Sequence, residues 1–94
     1  MPITCTIADR IAEIVFDVPP VNAFDSETWM SLPGIISDAG RNTEVNCILI
    51  RAEGRGFCGG VDIKEMQAHP ERITLLNRGN YLTFKAIRDA EVPV

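Results

Sequence analysis

Short apolar blocks open the chain and give way to longer stretches of helical spacing. Ile3 to Ile7 reads as a strand, and Ile11, Ile14, Val15 and Phe16 mark a second. Ala8-Asp9-Arg10 is a short connection, so the two are expected to pair as a hairpin. Pro19-Pro20 ends this run and imposes an extended loop. Asp25 and Ser26 suit the cap of a helix in which Trp29, Leu32, Ile36 and Ala39 recur at near-helical spacing. Pro33-Gly34 falls inside it and predicts a kink or a break, and Gly40 suits its end.

Cys47 to Ile50 is a compact apolar run with β-branched residues and reads as a buried strand. Gly54 to Gly60 is a glycine-rich turn, after which Asp62 opens another helix, with Glu65 at capping-box spacing. Pro70 suits the first turn of a last helix towards Ala90, with Ile73, Leu76, Phe84 and Ile87 on its apolar face and Gly79 weakening it. Val92 to Val94 looks like the start of a further strand. The expected strands lie near 3–7, 11–17 and 46–51, and the helices near 26–40, 62–68 and 70–90. No internal repeat, low-complexity tract or linker is visible. The order predicts an α/β fold, cut short, within a single domain over residues 1–94.

Composition narrows the chemistry. With 46% apolar and 23% charged residues the chain is of ordinary globular type. A net charge of -4 argues against a nucleic-acid partner, which needs a basic stripe. Cys5, Cys47 and Cys58 are odd in number and form no C-x-x-C, so neither a disulfide framework nor a metal site is expected. Reduced thiols, no secretory leader and no membrane-length apolar run point to a cytoplasmic protein.

The strongest chemical pattern is Gly54-Arg55-Gly56-Phe57-Cys58-Gly59-Gly60-Val61-Asp62-Ile63-Lys64, entered from a strand and left by a capped helix. Glycines let the backbone turn sharply and approach a ligand. The helix start leaves free N–H groups, which suit an acyl thioester oxygen that becomes negative in an enolate. A plain tight turn explains the same spacing. Gly54-x-Gly56-x-x-Gly59 also matches a dinucleotide fingerprint. That motif wants a second strand ending in an acidic residue, and the region after the turn is helical in pattern.

Phe57-Cys58-Gly59-Gly60-Val61-Asp62-Ile63 closely resembles the first oxyanion segment of the crotonase superfamily, the enoyl-CoA hydratase/isomerase family, where F-[SCA]-A-G-x-D-[IL] is usual. Pro20-Val21-Asn22-Ala23-Phe24 is similar to its P-x-N-A-[LF] segment. The resemblance implies a partial crotonase fold, a ββα-type spiral, covering roughly the first third of a family member. It implies that the Val61 backbone N–H is one of two oxyanion donors. It also implies that Gly59, Gly60, Val61, Asp62, Ile63 and Lys64 line the coenzyme A site, flanked by Asn22 and Ala23. Asn22 fits a loop-ordering role equally well. Gly59 departs from the usual Ala and is expected to loosen the turn. Cys58 reads as a small packed residue and His69 as an exposed loop residue. Arg51, Arg55 and Lys64 are candidates for coenzyme A phosphates or plain surface charges.

The resemblance implies hydration or isomerisation of an enoyl-CoA, in fatty-acid or steroid-ring degradation, by a homotrimer or hexamer. The partner is an acyl-CoA thioester, and no separate cofactor is implied, since coenzyme A is part of the substrate. The family's G-G-G segment and catalytic carboxylates have no counterpart among these residues; Glu65 and Glu71 do not match them by position. The 94 residues alone are therefore expected to be inactive and marginally stable. The alternative is a non-catalytic coenzyme A-binding or assembly module, or a pseudoenzyme.

Overall fold

The computed structural model describes residues 2–94. Strands β1 (Ile3–Ala8) and β2 (Ile11–Phe16) form the expected antiparallel hairpin, with Ala8 opposite Ile11. Asp9 and Arg10 both take positive φ, 52° and 65°. That is the conformation a two-residue hairpin needs to match the twist of its strands. β4 (Cys47–Ala52) joins β2 in parallel, giving the order β1-β2-β4. Between them the chain crosses over through α1 (Ser26–Arg41), as a parallel pair requires. Two strands of two residues each, β3 (Ala23–Phe24) and β5 (Gly60–Val61), pair in parallel as a second, separate sheet. Neither is visible in the periodicity, since two residues carry no period.

α1 packs on one face of the sheet. Ala12, Ile14, Phe16 and Ile48 bury that face against Leu32, Ile36 and Ala39, with Phe24, Trp29, Val45 and Leu76 completing the core. The other face stays open: Leu49, expected to be buried, is exposed beside Ile11, and Arg51 there bridges Glu13 at 3.2 Å and Glu53 at 2.7 Å. On the free edge of β4, the Ile48 amide donates to the Pro93 carbonyl at 2.9 Å, so the C-terminal residues begin to run alongside that strand.

Of the kink or break expected at Pro33-Gly34, the break does not occur: α1 runs through both residues. A proline inside a helix removes one hydrogen bond, here from residue 33 to the Trp29 carbonyl. The unbroken buried stripe of Trp29, Leu32, Ile36 and Ala39 holds the helix to the sheet despite that loss. The last helix also differs from expectation. A 3₁₀ turn (Pro70–Arg72) precedes α3 (Ile73–Asp89), and the buried stripe of α3 is Leu76, Gly79 and Thr83. Phe84 is 63% exposed, and Ile73 is also exposed. α3 runs beside α1 in the same direction, Gly79 against Trp29 and Ala90 near Gly40. A Cβ at residue 79 would lie 2.8 Å from the Trp29 carbonyl carbon and 2.9 Å from its oxygen. Gly79, read from sequence as a weak point, is thus what allows the two helices to approach.

The structure also repeats itself where the sequence does not. A strand, a loop, a two-residue strand, an aspartate cap and a helix occur twice: β2, β3, Asp25, α1, then β4, β5, Asp62, α2 (Ile63–Ala68).

Candidate active site

Two loops, 17–25 and 53–62, lie side by side at the carboxyl ends of β2 and β4. Asn22 joins them. It is 2% exposed and takes φ 56°. Its Oδ1 accepts from the Val18 amide at 2.7 Å, while its Nδ2 donates to the carbonyls of Glu53 and Gly56, each at 2.8 Å. The side chain of Asn22 is therefore spent on holding the glycine-rich loop against its neighbour. The backbone continues the join: the Gly59 amide donates to Asn22 O and the Asp62 amide to Phe24 O, both at 2.9 Å.

Gly59 is a close-approach position. A Cβ there would stand 2.7 Å from the Val21 carbonyl oxygen and 3.0 Å from its Cγ2. The glycine thus tightens the seam between the loops, against the expectation that it loosens the turn. Gly60 follows with φ 90°, a conformation that L side chains rarely adopt.

Val61 stands in β5, directly before the cap of α2. Ala23 pairs with Gly60 and Phe24 with Val61. In a parallel ladder one residue of each pair bonds to the two neighbours of its partner, and amides alternate in direction. The bond from Asp62 N to Phe24 O identifies Phe24 as the bonding member. The Val61 N–H consequently turns away from β3. Gly60 supplies the carbonyl of the same peptide unit, which accepts from the Trp29 indole Nε1 at 3.2 Å.

Asp62 caps α2, its Oδ1 accepting from Lys64 N at 3.0 Å and Glu65 N at 3.4 Å. The reciprocal half of the capping box is missing, because the Asp62 amide already serves Phe24. Glu65 reaches across instead to α1. Its carboxylate accepts from the Ser26 amide at 2.8 Å and Ser26 Oγ at 3.0 Å, and meets Arg72 at 3.3 Å. Only 11% exposed, it staples α2 to the positive end of the α1 dipole. Sequence reasoning missed this link; an acidic residue beside an unremarkable serine far along the chain gives no local signal.

Ile63 and Lys64 are exposed beside Val61. Lys64 and Arg55 make no ion pair among the described residues, whereas Glu53 and Glu13 engage Arg51 and hold its guanidinium above its ordinary value. Cys58 is exposed, where a packed residue was expected. His69 is exposed and lies 3.3 Å from Glu71. No group of three metal-ligating side chains occurs among the described residues, and no helix is long and apolar enough to cross a membrane. A groove between α1 and α3, lined by Pro33, Arg41, Lys85 and Asp89 among others, shares no residue with the 53–62 loop.

Comparison with known proteins places this geometry. The family model for enoyl-CoA hydratase/isomerase matches residues 6–94. Two relatives, from Mycobacterium tuberculosis and Rhodococcus jostii, are 45% and 47% identical across the whole chain. Both are named (7aS)-7a-methyl-1,5-dioxo-2,3,5,6,7,7a-hexahydro-1H-indene-carboxyl-CoA hydrolase. The chain spans 39% and 38% of their lengths. Among solved structures, human enoyl coenzyme A hydratase domain-containing protein 3 superposes with a TM-score of 0.88 at 26% identity, over 100% of this chain and 38% of that one. An enoyl-CoA hydratase/isomerase family protein from Hyphomonas neptunium superposes with a TM-score of 0.84 at 32% identity, again over 100% of this chain and 38% of that one. A match along almost all of its residues, on a fold shared with solved members, means that this chain belongs to the enoyl-CoA hydratase/isomerase family.

Proposed function

We propose that these residues form the early part of one crotonase-like domain and supply half of an oxyanion hole for an acyl-CoA thioester. The Val61 N–H is the donor, and Gly59, Gly60, Asp62, Ile63 and Lys64, flanked by Asn22 and Ala23, line the coenzyme A side. The observation that carries this reading is the outward turn of the Val61 amide at a seam that a bound-in asparagine holds rigid. A donor fixed before reaction stabilises developing negative charge without reorganising.

For the whole protein we propose hydrolysis of a ring-ketone acyl-CoA of the kind named for the two relatives, with no cofactor beyond the substrate's own coenzyme A. The identity of 45% and 47% to those hydrolases favours this over hydration or isomerisation of a simple enoyl-CoA. A cytoplasmic homotrimer or hexamer, as the family resemblance implies, belongs to the same proposal. The test assays a protein of full family length containing this chain, beside the 94 residues alone, with the bicyclic dione thioester and with crotonyl-CoA. Turnover of the dione by the long form alone is the expected result. Preference for crotonyl-CoA overturns the hydrolase reading. Binding without turnover of either thioester by the long form makes the protein a non-catalytic module.

A further inference from the structure

We propose that Trp29 is a positioning residue that aims and polarises the Val61 N–H; this rests on the reading of that amide as the oxyanion donor. The Gly60 carbonyl and the Val61 N–H belong to one peptide plane, and in a trans peptide they point in opposite directions. Whatever fixes the carbonyl fixes the amide. The indole Nε1 of Trp29 donates to Gly60 O at 3.2 Å, and the β3–β5 register brings the Phe24 amide to the same oxygen. Two donors converging from different elements leave the plane little rotational freedom. They also draw electron density towards the oxygen, which makes the N–H across the same plane a stronger donor, as in any chain of hydrogen bonds.

Trp29 is built for this placement. It is 6% exposed and packs edge-on against Phe24, ring centroids 5.1 Å apart. Its backbone is pinned from behind by Gly79, where α3 approaches too closely for any side chain. A hydrophobic core needs a large residue at this position, but not one with an N–H. Tryptophan supplies both, and its polar atom leaves the core only at Gly60.

The test separates the two claims. Trp29 alone is replaced with 3-benzothienylalanine, an isostere without the N–H. Trp29→Phe removes the N–H genetically, together with part of the ring's volume, so the isostere separates the hydrogen bond from the packing. In NMR spectra of a protein of full family length, labelled at Gly60 and Val61, the Gly60 carbonyl ¹³C and Val61 amide ¹⁵N resonances are expected to shift in both variants. In a protein of full family length, Trp29→Phe is expected to lower kcat roughly tenfold at unchanged KM, a fraction of the ~10²–10³ lost with a whole donor. The carbonyl stretch of a bound ¹³C-labelled thioester should move back towards its free value. Unmoved Gly60 and Val61 resonances overturn the role of Trp29 and leave the Val61 reading intact. Equally, a KM effect with constant kcat overturns it, since that is loss of uniform binding. If the parent protein leaves the thioester stretch unperturbed on binding, the Val61 reading itself fails.

Discussion

The two repeated units of this chain follow one course and end differently. In the first, β2 leads through β3 and the Asp25 cap into α1, a helix of 16 residues with a buried stripe. In the second, β4 leads through β5 and the Asp62 cap into α2, a helix of 6 residues that buries none. Phe24 and Val61 occupy the same place in the two units and face each other across the small sheet. Phe24 spends its backbone on the ladder, while Val61 does not. The path from Phe16 to Phe24 is one residue shorter than that from Ala52 to Val61. The first loop is filled by a buried asparagine that bonds the Glu53 and Gly56 carbonyls of the second, and the second comes close to Val21 at a glycine. One unit is thus scaffold, and the other is held by it with an amide left over. Satisfying every backbone group in both units would leave nothing to donate to a ligand.

Changing the two equivalent amides is the sharpest way to break this comparison. An ester in place of the Gly60–Val61 amide, in a protein of full family length, is expected to lower kcat/KM by ~10²–10³. An ester in place of the Ala23–Phe24 amide removes only one of the two donors to Gly60 O, so it should lower turnover by about tenfold at most, a fraction of a whole oxyanion donor, and unfolding stability by about 1 kcal/mol. Similar kinetic losses at both sites would end the distinction between donor and scaffold.

Next in size is the seam. Asn22→Ala removes three hydrogen bonds and places a Cβ-bearing residue without a polar tip at positive φ. Urea unfolding is expected to show a loss of about 3 kcal/mol, with Asn22→Gly recovering only the backbone part. If Asn22→Ala unfolds like the parent, the loops are not held as described.

Gly59→Ala probes the same seam from the other loop. The added methyl meets a carbonyl oxygen at 2.7 Å. The expected loss is about 1–3 kcal/mol, the usual range for overpacking. A neutral or stabilising result would mean that the loops separate easily and that Gly59 is indeed a loose joint.

The caps give the smallest effects. Asp25→Ala and Asp62→Ala should each cost about 1 kcal/mol of helix stability. They should differ in reach. Asp25 caps the helix that carries the core, so its loss belongs in the global transition. Asp62 caps a helix with no buried residue, so hydrogen exchange at residues 63–66 should quicken while global unfolding stays in place. Identical behaviour of the two would remove the contrast between a load on the core and a local support.

Much of this was readable from residues alone. The hairpin, β4, the aspartate caps and the existence of three helices follow from apolar spacing and capping chemistry, which act over a few neighbouring residues. The glycine-rich turn around Gly59-Gly60-Val61 stood out by residue type, while the segment around Asn22 was legible only through its resemblance to the family's segment. What tertiary structure decided involves partners distant in sequence. Pro33 does not break α1, because burial of Trp29, Leu32 and Ile36 outweighs one lost hydrogen bond. Leu76 lies on the buried face of α3 as expected, but Ile73 and Phe84 do not, because crossing α1 at Gly79 puts Gly79 and Thr83 on that face instead. Glu65 serves Ser26 and not its own cap, and Trp29 reaches Gly60. Local patterning fixes which way a backbone runs within an element. Only the packing of one element on another fixes where each hydrogen bond of a loop is spent, and hence which amide remains for a ligand.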